Sequence, residues 1–262
     1  MKNVFAIFAL ISFGVLPNSC ALYRHNYAPN GPVIPFITKQ HDAVASVAAC
    51  NYDGRELQAL YSPLKHMFVM YNYMNLPYNR NKYGDCARSR FQEGGIGGYW
   101  TKKIISFHLL GGFGAGDTKH VIGYLSGGGY LKSHLYYRRW FVQPGLVLQG
   151  KGMRLGIVFR QIWLHHHAAT LSFGGASLPS QIEKIRRIEE NTPLCIPEIG
   201  FSIGAQIRPF TFSLNVAGVW GNQKFFENYH FSPSNQNVML SLNLNEIWER
   251  KSKRKTIPTN GN

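Results

Sequence analysis

The chain has 262 residues, enough for one β-barrel or one large globular domain. Charged residues make up 16%, below the roughly 25% of soluble domains, while Gly (27), Phe (17) and Tyr (14) are plentiful, which favours a chain with much surface away from water. The net charge is +15, yet no nucleic-acid motif accompanies it, so no nucleic-acid partner is expected; the basic loops and the run Arg250-Lys251-Ser252-Lys253-Arg254-Lys255 are read as touching anionic lipid headgroups.

Residues 1–20 read as a signal peptide. Lys2 supplies the charge, and Val4 to Leu16 is an apolar run too short for a membrane span of about 20 residues. Leu16-Pro17-Asn18-Ser19-Cys20 has the form of a relaxed lipobox, which makes Cys20 the expected lipidation site; cleavage after Ala21 is the alternative. Either reading exports the chain, and no later apolar run reaches the length of a transmembrane helix. Residues 21–40 carry Pro29, Pro32 and Pro35 and read as an extended linker. The barrel domain is expected over 41–248, with a basic tail at 249–262.

Ten strands are predicted. The first runs from Asp42 to Asn51, and Asp53-Gly54 is a hairpin signal. Arg55 to Tyr61 follows, then Ser62-Pro63-Leu64-Lys65 as a turn, then His66 to Met74. Asn75 to Arg90 reads as a polar loop. The fourth and fifth strands are Phe91 to Trp100 and Ile104 to Gly114, with Ile105, Phe107, Leu109 and Phe113 on one face. Ala115 to Gly129 reads as a Gly-rich loop. Tyr130 to Leu148 and Met153 to Leu164 come next; Arg154, Gly156, Val158 and Arg160 share one face of the latter. The longest loop is His165 to Pro197, where Ser180 and Glu183 fit a capping box and Ile182, Ile185 and Ile188 stripe a short helix.

The last three strands have the clearest alternation. Ile199, Phe201, Ile203, Ala205 and Ile207 oppose Glu198, Gly200, Ser202, Gly204, Gln206 and Arg208; Phe210, Phe212, Leu214 and Val216 oppose Thr211, Ser213 and Asn215; Val238, Leu240, Leu242 and Leu244 oppose Ser241, Asn243 and Asn245.

Alternation alone leaves the direction of the apolar face open. Two features favour outward. Apart from the first hairpin, short connections alternate with long ones, the segregation seen in outer-membrane barrels with periplasmic turns and outer loops. The polar face is also poor in Lys, and its charges are of both signs. Glu93, Glu198, Arg154, Arg160 and Arg208 are therefore expected to form a paired interior network, since an unpaired buried ion costs several kcal/mol. Tyr99, Trp100, Trp140, Trp163, Phe210, Trp220 and Trp248 fit aromatic girdles.

The chain resembles Gram-negative bacterial outer-membrane β-barrel lipoproteins of a largely uncharacterised kind. The residues that carry the resemblance are the lipobox-like ending at Cys20, N-Y-A-P-N-G-P-V-I-P from Asn26, E-L-Q-A-L-Y-S-P from Glu56, Q-E-G-G-I-G-G-Y from Gln92 and F-V-Q-P-G-L from Phe141. The resemblance implies export to the outer membrane and a single small barrel, and is silent on chemistry. Barrels of this kind usually end on a strand with a terminal aromatic, whereas here a basic tail follows Trp248.

Candidate chemistry is sparse. Of Cys50, Cys86 and Cys195, the pair Cys86 and Cys195 is the candidate disulfide. His165-His166-His167 reads as the start of a polar loop. With His120 or His134 it could hold a metal, but no carboxylate or cysteine has ligand spacing, so neither metal nor cofactor is expected. Asp53, Asp85, Asp117, His120 and the tract His165-His166-His167 are the groups a rim hydrolase would use, without a triad of informative spacing.

The expected fold is all-β: a single antiparallel up-and-down barrel of about ten strands, apolar face outward, with one short helix in a long loop. The expected role is structural or binding, at the outer membrane and without catalysis. A lipocalin-like barrel with its apolar face inward is the alternative, and an outer-membrane hydrolase the third reading.

Overall fold

The computed structural model describes residues 30–31, 33–50, 54–80, 86–123, 130–150, 152–174, 183, 186–187, 190, 193–207, 209–220, 234–245 and 247. The signal segment with Cys20, the helix cap at Ser180, Asp53, Asp85, Arg208, Trp248 and the basic tail lie outside them.

The strands are β1 (Ala43–Cys50), β2 (Arg55–Tyr61), β3 (Met67–Arg80), β4 (Cys86–Lys102), β5 (Ile105–Gly123), β6 (Tyr130–Gln149), β7 (Met153–Gly174), β8 (Leu194–Ile207), β9 (Phe210–Val219) and β10 (Ser234–Asn243). Each pairs antiparallel with its sequence neighbours, and β1 pairs with β10 to close the barrel, with Val47 opposite Leu240. Closure leaves no unpaired edge, as a strand structure in lipid requires.

The apolar face points outward. Ile157, Phe159, Phe201, Phe212 and Val238 are exposed, whereas Arg160, Ser202, Ser213 and Asn237 on the alternate face are buried. These exposures set aside the lipocalin-like alternative. From Trp140 to Leu148 the outward residues of β6 are all apolar. Those eight steps span about 27 Å along the strand, and roughly 20 Å along the axis at a tilt of ~40°, close to the ~25 Å apolar band of such barrels. Trp100 and Phe107 pack together at one edge of the band, and Phe113 and Trp140 lie with ring centroids 4.6 Å apart at the other. Tyr99, expected in a girdle, points inward instead and is hydrogen-bonded to the Ser62 hydroxyl at 3.1 Å. The geometry is that of an outer-membrane β-barrel, embedded in lipid.

Several predicted loops are strand. Residues 75–80 extend β3, 86–90 extend β4, 115–123 extend β5 and 165–174 extend β7. The reason is pairing: β5 and β6 stay in register from Ile105↔Leu148 up to Gly123↔Tyr130. These polar stretches stand above the apolar band, where both faces of a strand can be polar. The asymmetry between the two ends thus lies largely in strand length: β7 has 22 residues and β2 has 7. Helical backbone is present at Glu183, Arg186, Arg187 and Glu190, with Glu183 accepting from both arginines at 3.2 Å.

The glycines of E-G-G-I-G-G-Y and G-G-F-G-A-G make room for rings lying flat on the inner wall. A Cβ at Gly97 would stand 2.4 Å from Phe68, at Gly112 2.5 Å from Phe141, and at Gly114 2.4 Å from Phe91.

Ile157 lies within the lipid band. Ile157→Arg is expected to cost about 2–4 kcal/mol, read as a lowered urea midpoint for the protein in phospholipid vesicles. An unchanged midpoint would mean that this face does not meet lipid.

Candidate functional site: the plugged lumen

The predicted linker is not a linker in its second half. Residues 30–31 and 33–38 thread the barrel interior, with Asn30, Val33, Ile34, Phe36 and Ile37 all buried. The segment descends from the level of Arg139, which bonds Asn30, past Gln143, whose amide donates to the Val33 carbonyl at 2.6 Å, to Arg154, whose guanidinium lies 4.8 Å from the Phe36 ring. At the short-turn end Asp42 accepts from the backbone N–H of Thr38 at 2.9 Å and of Lys39 at 3.0 Å, turning the chain into β1. Two glycines permit this path. A Cβ at Gly31 would stand 2.1 Å from Asn237 Nδ2, and one at Gly156 2.6 Å from Ile34.

Around Asn30 the wall supplies charge. The Asn30 amide donates to Glu93 Oε1 at 2.6 Å, and its carbonyl accepts from Arg160 Nη1 at 2.8 Å and from Arg139. Arg139 grips Glu93 through both Nε, at 3.1 Å, and Nη2. Its guanidinium also lies 3.9 Å from the centroid of the Phe91 ring. Arg160 donates to Gln143 at 2.9 Å and lies 3.5 Å from Glu198. Beside this set, Glu56 accepts from Asn72 at 2.8 Å, Gln58 at 2.9 Å, Asn237 at 3.0 Å and the Gly31 N–H at 3.2 Å. The lumen thus balances Glu56, Glu93 and Glu198 against Arg139, Arg154 and Arg160, all buried. Above it the Phe91 and Tyr137 rings stack, and His166 packs 5.9 Å from Tyr137.

Of the residues expected in an interior network, Glu93, Arg154, Arg160 and Glu198 are buried in the lumen, and Arg208 lies outside the described residues. Arg139, Glu56 and Asn30 were missed. Arg139 shares strand parity with Phe141 and Gln143, and Glu56 with Gln58, so parity along β6 and β2 could have found both. Only the apolar Val33, Ile34, Phe36 and Ile37 within the supposed linker hinted at the plug.

The other candidates fall elsewhere. The Cys86–Cys195 disulfide is not formed: Cys195 is an exposed free thiol on β8, whereas Cys86 opens β4, with three strands between. The histidine tract belongs to β7, with His166 inward and His165 and His167 on the outer face. Asp117 and His134, also on the outer face, lie 3.0 Å apart, Oδ2 to Nε2. Among the described residues no three His, Cys, Asp or Glu side chains converge as metal ligands.

No family model and no curated protein matches the chain. Solved structures do. LpxR from Salmonella typhimurium is similar over 76% of this chain and 99% of its own, at 10% identity and a TM-score of 0.33. A structure from a study of in-meso crystallization of membrane proteins is similar over 80% and 86%, at 9% identity and 0.35. The FrpB iron transporter of Neisseria meningitidis, in its apoprotein form, is similar over 69% of this chain and 39% of its own, at 9% identity and 0.20. Likeness at this distance transfers no role. One expectation is corrected: that the chain is no enzyme does not follow from its barrel architecture.

Removing one partner of a buried ion pair strands the other. Arg139→Met is expected to destabilise the barrel by about 3–5 kcal/mol, with Glu93→Gln/Arg139→Met recovering a large part of the loss. Urea unfolding in vesicles measures both; a double variant no better than the single would show that Glu93 and Arg139 are not coupled.

Proposed function

We propose that the protein is a self-plugged barrel of the bacterial outer membrane, exported through the segment at 1–20 and anchored additionally by lipid at Cys20. Its role at the envelope is one of binding rather than conduction. The observation that supports this reading is the occupied lumen. Residues 30–31 and 33–37 lie buried in the interior, and Asn30 is held at once by Glu93, Arg139 and Arg160. A charged network of this kind, its members joined to one another, leaves no water-filled path for an ion, and ten strands enclose little more than side chains. The protein reconstituted in a planar bilayer is therefore expected to be electrically silent. Stable, discrete conductance steps would sink the reading. Incorporation of labelled palmitate, abolished by Cys20→Ala, is the result expected for the anchor; labelling that survives the substitution speaks against it.

A second reading, hydrolysis at the headgroup level, is favoured by one feature. Asp117 orients the His134 imidazole at 3.0 Å on the outer face, and Thr170 stands opposite His134 across the β6–β7 ladder. A carboxylate-oriented imidazole can act as a general base toward a hydroxyl or a water. Release of fatty acid from lipid vesicles by the folded protein, lost on His134→Ala, is the expected sign; no release above that of vesicles alone would dismiss it.

A further inference from the structure

The wall of β4–β7 changes character above the Phe113–Trp140 pair. Cross-strand register places the outward residues in rows. The first row above the aromatics is Gln92, Ala115, Arg138 and His165. The second begins Arg90, Asp117, Tyr136, and the third is Arg88, Lys119, His134 and Thr170. Arg90, Lys119 and Arg138 are exposed, and Arg88 is partly so. Asp117 is the acid within these rows, and it is engaged by His134.

We propose that this patch binds the phosphate groups of a glycolipid of the outer leaflet, through Arg88, Arg90, Lys119 and Arg138. The inference rests on the membrane reading of the barrel and adds a ligand to it. Four observations carry it. The cations point away from the barrel axis, so they serve nothing in the lumen. They begin one row above the aromatic edge of the lipid band, which is headgroup depth. Arg88 and Lys119 are direct cross-strand partners, a like-charge pairing that is unfavourable unless an anion lies between them. Directly below, Phe113, Trp140, Leu109 and Val142 give acyl chains an apolar wall on the same strands.

The spacing selects the headgroup. Lys119 stands four residues above Ala115, the partner of Arg138, so the upper and lower cations are separated by about 13–14 Å along the strand. One glycerol phosphate cannot meet both. A disaccharide phosphorylated at each end can, and the exposed Tyr136, whose ring centroid is 4.1 Å from that of His134, gives its sugar face a surface between them.

The test is native mass spectrometry of the folded full-length protein in detergent, with diphosphoryl lipid A, monophosphoryl lipid A or phosphatidylglycerol as probe. The diphosphoryl form is expected to bind most tightly. Arg90→Gln/Lys119→Gln/Arg138→Gln is expected to lose at least about tenfold, since three charge-assisted contacts to phosphate are removed together. Lys65→Gln/Lys102→Gln, at the short-turn end, is expected to bind as the parent does. Equal binding by the patch variant overturns the proposal, and so does phosphatidylglycerol binding as tightly as diphosphoryl lipid A. Insertion into vesicles and heat-modifiable gel migration are measured alongside. A parent that fails to insert sinks the membrane reading and the proposal with it, whereas a parent that inserts and shows no preference sinks the proposal alone.

Discussion

Everything inside this barrel is arranged around the burial of Glu93 and Arg139. Neither ion can be left alone in the lumen, because an isolated buried charge is paid for in several kcal/mol. Their pairing is made through Nε and Nη2, both donating to Glu93 Oε2, and Asn30 then closes the set by donating to the glutamate and accepting from Arg139 and Arg160. One asparagine side chain thus satisfies charges projected from β4, β6 and β7. The plug is held by the wall, and the wall's charges are completed by the plug. This reciprocity explains why the segment ahead of β1 is part of the fold rather than a tether to it.

The same logic fixes small residues far apart in sequence. Gly31 lets the backbone come within hydrogen-bonding reach of Glu56, and Gly156 lets Ile34 lie against β7. Inward glycines on β4 and β5 take Phe68, Phe91 and Phe141, and Phe91 in turn carries the Arg139 guanidinium on its face. A cation over an aromatic ring keeps attraction on a side where no further acceptor is needed. Packing and charge are therefore solved together: remove the glycine and the ring moves, and with it the platform beneath the arginine.

The strands inside the lipid band were legible because lipid imposes one apolar face and the lumen one polar face, which is a period of two. Ile199 to Ile207 and Phe210 to Val216 obey it, and so do the buried Glu93, Arg154, Arg160 and Glu198. Above the band that constraint ends. Ala115 to Gly123 has no apolar face to reveal it, and only its hydrogen-bonded partners make it a strand. Val33, Ile34, Phe36 and Ile37 escaped for a different reason. Their apolar side chains are satisfied by an interior that exists only once ten strands have closed, so no local pattern could announce them. Arg139 stands beside Arg138, and strand geometry sends Arg138 to water and Arg139 to the core of the network.

That division of Arg138 from Arg139 also indicates where recognition can occur. A lumen whose carboxylates are already held by hydrogen bonds or ion pairs has little left to offer a ligand, and opening it would break the bonds that hold the plug. The outer wall carries no such obligation. β5, β6 and β7 have 19, 20 and 22 residues, against 8 and 7 in β1 and β2, so one side of the cylinder rises well above the lipid band while the other stops near it. Pairing alone must hold the tall side extended, and its outward side chains are free to be selected for what lies beside the membrane rather than for what fills the barrel. The stable interior and the chemically varied exterior are then two consequences of one strand geometry, with successive residues of β6 serving each in turn.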